Sequence, residues 1–151
     1  MADSSTQSIT VWQARMAQLA LTVGCAEASE TADLLRELHH LLRCAPATWA
    51  QLRGTASEAA RFEALLAVDA CASAALLLIA GRAGYMVSQG LGGGVMATVS
   101  LGNGSGEVSS EAANVSLALT GALAEALSGT PIVAGHDDHA AQRSPVSLRL
   151  N

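Results

Sequence analysis

One change of period constrains this chain more than any other feature. Up to about Gly81 the apolar residues recur at helical spacing; between Tyr85 and Leu101 they alternate. In "VMATVSL", Val95, Ala97, Val99 and Leu101 alternate with Met96, Thr98 and Ser100, the pattern of a strand buried on one face. "YMVSQ" (85–89) precedes it across "GLGGG", and "EVSS" from Glu107 supplies a third short strand. A strand cluster this short between helical segments predicts an α+β fold, with helices packed on a two- or three-stranded antiparallel sheet.

The glycines around these strands raise the question of phosphate binding. Gly92, Gly94 and Ala97 spell G-x-G-x-x-A, but a dinucleotide site needs those glycines between a strand and the start of a helix. Here the next residues read as a strand, so hairpin turns are expected and no cofactor is assigned. Ser105 in "GNGSG" lacks the flanking glycines of a nucleophile elbow, because Asn103 and Glu107 occupy those positions. Asn103 and Asn114 open N-x-S sequons, which read as chance matches.

Helices account for the rest of the ordered chain. Residues 8–23 form a first helix with Trp12, Met16, Leu19 and Val23 on one stripe. In "SETADLLRELHHLLR", Leu34, Leu35, Leu38, Leu41 and Leu42 make an apolar face, with Glu30 and Asp33 at the start and Arg43 at the end, as the helix dipole favours. A short piece follows Pro46. "TASE" (55–58) then reads as a capping box opening one long helix to about Gly81, through Phe62, Leu65, Leu66, Leu76 and Ile79. A last helix from Glu111 to Ser128 carries Val115, Leu119, Leu123 and Leu127, closed by Gly129 and Pro131. Residues 1–129 are thus expected as one domain, with N-terminal helices over 8–54 and a helix–meander–helix unit over 55–129; 130–151 are expected as a flexible tail.

Composition removes several chemistries. The chain has 31 Ala and 21 Leu but no Lys, its eight basic residues all being Arg. A lysine Schiff base and a Walker phosphate loop are therefore excluded. A net charge of −5 with dispersed Arg argues against nucleic acid as partner. Asp69 interrupts the apolar run 64–81, which is read as a buried helix and makes a membrane span the lesser reading. The first ten residues, "MADSSTQSIT", carry Asp3 and no apolar run, so no secretory leader is expected. Cys25, Cys44 and Cys71, widely spaced among Ala and Leu, fit reduced, buried, inert thiols and a cytoplasmic setting.

Candidate chemistry is sparse. "HDDH" (136–139) holds four metal-competent side chains, but adjacent residues converge on one ion only in a preformed loop, and no metal site is assigned. His39 and His40 point about 100° apart on a helix and read as a polar edge. Asp69 in the apolar helix and Arg82 near its end are the residues that would line a polar pocket in a small enzyme or ligand-binding domain.

Residues 58–128 read as helix, glycine-flanked meander and then "SSEAANVSLALTGALAEAL". This arrangement resembles the small "ABA sandwich" domains of phage and prophage proteins, in which helices flank a short antiparallel sheet. The resemblance implies an α/β sandwich core and carries no catalytic, cofactor or metal residue. The lack of a converging acid, base and nucleophile in the ordered region favours a non-enzymatic interaction or assembly protein. Such a protein would act through helix or sheet-edge surfaces and self-associate, for instance as a homodimer. The pocket near Asp69 and Arg82 is the alternative.

Overall fold

The computed structural model describes residues 3–102 and 106–129. It is α+β: five α-helices and two 3₁₀ segments pack with one three-stranded antiparallel sheet. The helices are α1 (Asp3–Gly24), α2 (Thr31–Arg43), α3 (Ala56–Ala67), α4 (Cys71–Ile79) and α5 (Val115–Leu127). The strands are β1 (Gly84–Gln89), β2 (Val95–Ser100) and β3 (Glu107–Ala112), in spatial order β1-β2-β3. The tail expected at 130–151, with "HDDH" and the Ser105 turn, lies outside the described residues.

α5 is the centre of the molecule. Every residue from Ser116 to Ala124 is buried, so the helix is covered on all sides rather than along the single Val115–Leu119–Leu123–Leu127 stripe. α1, α2 and α4 pack around it, and β2 and β3 lie across its remaining face. The two stripes read from the sequence are buried as expected: Trp12, Met16, Leu19 and Val23 on α1, and all five leucines on α2. Trp12 also donates its indole N–H to the Leu41 carbonyl at 2.8 Å and stacks on Trp49, which fixes α1 against the end of α2.

Three helix boundaries differ from the sequence reading: α1 starts at Asp3 rather than at residue 8, and two further differences shape the fold. The last helix does not begin at Glu111, because β3 runs on to Ala112 and Asn114 caps α5. The Asn114 side chain accepts from the Leu117 N–H at 3.0 Å and donates to the Thr31 hydroxyl at 2.9 Å, so one residue both starts α5 and ties it to α2.

The long helix expected over 55–81 is two helices. Asp69 adopts φ 57°, in the left-handed region, and the Ala70 N–H bonds back to the Leu65 carbonyl. The break exposes Asp69 and lets α4 turn its apolar side onto α5. Asp is among the few non-glycine residues that tolerate this conformation. Asp69→Val is expected to destabilise by about 1–2 kcal/mol, and Asp69→Gly to be nearly neutral, in urea unfolding. Equal stability of the two variants would show that the backbone at this joint is unstrained.

At the start of α3 only half of the expected capping box forms. Thr55 Oγ1 accepts from the Glu58 N–H at 3.1 Å, but the Glu58 carboxylate turns to Arg82. No described helix is long and apolar enough to cross a membrane.

Candidate functional site

The groups nominated from the sequence do not come together. Arg82 is buried, with its side chain 7% exposed, and its donors converge on protein acceptors. Nε donates to the Leu52 carbonyl at 3.0 Å, Nη1 to the Leu77 and Leu78 carbonyls at 3.3 and 2.9 Å, and Nη2 to Glu58. Asp69 instead sits exposed at the α3–α4 joint beside the Cys71 thiol. The pair that would line a polar pocket is thus divided between a structural clasp and a surface turn.

The cysteines are not buried as expected. Cys25 and Cys44 are exposed and Cys71 is partly so, because each lies at a helix end where the chain reaches the surface. Burial and the neighbouring Asp69 carboxylate push the Cys71 thiol above its ordinary value, which disfavours its thiolate form. Cys44 Sγ lies 3.8 Å from His40 Nε2 on the outside of α2.

His39 and His40 diverge as helical geometry requires. The His39 ring packs on Phe62 with centroids 4.4 Å apart. Burial, helped by Arg43, holds its imidazole below the ordinary value of 6.5 against the opposing pull of Glu63 and Glu58. The unfolded chain therefore takes up this proton at higher pH than the folded one. The His39 contribution is full above pH 6.5 and is lost as pH falls through the window down to the folded value. His39→Phe is expected to flatten the pH dependence of stability in that window, measured by urea midpoints; an unchanged slope would assign it to another group.

The surface that stands out is the sheet edge at β1. The glycine-rich link before β2 is a three-residue hairpin loop. The Gly93 N–H bonds to the Gly90 carbonyl at 3.1 Å, the Gly90 N–H to the Gly94 carbonyl at 3.0 Å, and Gly93 takes φ 86°. This is a turn closed by a bulge, and its glycines join two strands with no helix following. It also sets the phase of the ladder. Gly90 bonds toward β2, so in an antiparallel pair Ser88 and Met86 do too, while the N–H and C=O groups of Tyr85, Val87 and Gln89 point off the free edge.

The register puts side chains in matching rows. Val95, Ala97 and Val99 of β2 face the helices, and their partners Gln89, Val87 and Tyr85 lie on that same face. α5 covers β2 and β3 but barely reaches β1. Consequently Tyr85 is 52% exposed and Val87 is exposed beside it; Met86, 64% exposed, and Met96 lie on the opposite, solvent face, with Leu91 exposed at the hairpin tip. The alternating run had marked β2 as half-buried. It gave no sign that all six residues of β1 would remain exposed, since that depends on where α5 ends sideways.

Charge distinguishes the two edges. β3 carries Glu107 and Glu111 on its solvent face, the common device against edge-to-edge pairing. From Ala70 to Gly106 the one charged residue is Arg82, and it is buried. The β1 side thus has no charge, no proline and no internal bulge. No family model matches this chain, and no curated protein or solved structure matches it either.

Proposed function

We propose that this protein is a non-enzymatic interaction or assembly protein that acts by strand addition at the free edge of β1. The observation that carries the reading is the six-residue uncharged edge, with three residues whose backbone groups point outward and apolar side chains on both faces. An incoming strand would gain main-chain hydrogen bonds from Tyr85, Val87 and Gln89, and side-chain burial from Tyr85, Met86 and Val87. The acidic balance favours a protein surface over a phosphate backbone as partner.

The test uses a capped synthetic strand of alternating Val and Thr, added to the dilute full chain and followed by amide hydrogen exchange. Slowed exchange at Tyr85, Val87 and Gln89 is expected, and Val87→Pro is expected to abolish it. That substitution removes an N–H aimed off the sheet and leaves the β1–β2 ladder intact. Protection elsewhere, or none on a chain shown to be monomeric, would overturn the reading.

A further inference from the structure

We infer that the strand added at β1 is β1 of a second copy, paired antiparallel across a two-fold axis to give one continuous six-stranded sheet. The inference rests on the edge reading above and adds the identity of the occupant.

Backbone parity restricts the pairing. Tyr85, Val87 and Gln89 bond outward, so an antiparallel partner must oppose these residues with its own outward-bonding residues. Their side chains all lie on the helix-facing side of the sheet. The two-fold axis is then perpendicular to the sheet, and the helical layers of both copies fall on the same side. This fills the exposed strip beneath β1: the overhanging Tyr85 and Val87 of each copy meet in the trough between the two α5 helices. A lone peptide strand would bring no helical layer of its own to close the trough's far side.

Side chains select the register. With Met86 on the axis, Tyr85 opposes Val87 of the second copy twice on the inner face, and Met86 opposes Met86 on the outer face. Shifting by one allowed step sets Tyr85 against Gln89, Met86 against Ser88 and Val87 against Val87; shifting the other way sets Tyr85 against Tyr85 but leaves Val87 opposite Ala83. The first register is favoured because it alone makes two aromatic–β-branched pairs. Charge makes the contact specific to this edge. Two chains that each carry −5 meet here along a strand with no charged residue of its own, whereas β3 would bring Glu107 and Glu111 directly against their own copies.

Light scattering of the full chain across a concentration series is expected to give twice the chain mass, and Val87→Pro half of that with an unchanged circular dichroism spectrum. Tyr85→Lys, a surface change, supplies the same readout should the proline variant misfold. Register is read by oxidation in a chain carrying Cys25→Ser, Cys44→Ser and Cys71→Ser. Met86→Cys is expected to form a covalent dimer, because non-hydrogen-bonded partners lie about 4.5 Å apart at Cα, while Ser88→Cys is expected to remain a dimer with no covalent crosslink. A single-chain mass throughout, a dimer that survives both edge variants, or crosslinking at Ser88 in place of Met86 would overturn the inference. A monomer that still takes up the synthetic strand on β1 would end self-pairing alone. A monomer that takes up none would end the edge reading as well.

Discussion

Replacing Arg82 with methionine is expected to lower stability by about 3–5 kcal/mol, the cost of breaking a buried ion pair by removing one partner. The aliphatic stem keeps its packing, but four acceptors lose their donor. The Leu77 and Leu78 carbonyls belong to the last turn of α4 and have no helical partner there. The Leu52 carbonyl ends the 3₁₀ segment before α3, and the Glu58 carboxylate is only 23% exposed. One guanidinium thus fastens three segments just before the chain enters β1 at Gly84. In a domain of this size the loss corresponds to a fall in melting temperature of about 10 °C. Arg82→Lys is expected to recover little, because an ammonium on a flexible stem does not reproduce the planar fork. Glu58→Gln combined with Arg82→Met should cost less than the two single changes together, since the second change removes the carboxylate left unpaired by the first. Strict additivity would mean that the pair is not coupled and that the main-chain contacts alone matter.

Gly121→Val is expected to cost about 3 kcal/mol, near the upper end of overpacking effects. Gly121 lies midway along α5, where a helix interior would ordinarily prefer alanine by about 1 kcal/mol. It is retained by space: a Cβ there would meet the Ser110 side chain on β3, and Val23 Cγ1 on α1 at 3.2 Å. The glycine therefore sets how closely the sheet and α1 approach the central helix. Gly121→Ala should be milder, because its helix preference offsets part of the crowding, and Ser110→Gly should relieve it further. If Gly121→Val unfolded at the same urea concentration as the parent chain, the close approach of β3 and α5 would be wrong.

The outcome of each sequence expectation follows from how local its cause is. The leucine face of α2 and the Trp12–Val23 stripe were legible because a helix with one buried side writes that side at a period of 3.6. The Val95–Val99 alternation was legible for the same reason at a period of 2, and three strands were found near their expected places. Asp69 shows the opposite case. Its place in an apolar run read as a helix interior, whereas one residue in the left-handed region broke the run in two, and only packing on α5 rewards that break. Glu58 had suitable spacing for a capping box but had a stronger partner 24 residues away. The cysteines, set among Ala and Leu, were misjudged because helix ends rather than neighbours in sequence decide their exposure.

By itself the sequence determined the kinds of element present, the turns that separate them and the chemistries the chain lacks, because these depend on residue type and short-range spacing. Tertiary structure alone decided that α5 is enclosed while β1 is left open, that Arg82 clasps three segments together, and that one sheet edge carries acids while the other carries none. Those outcomes depend on lateral reach: α5 spans the width of two strands, and the third strand extends past it into solvent.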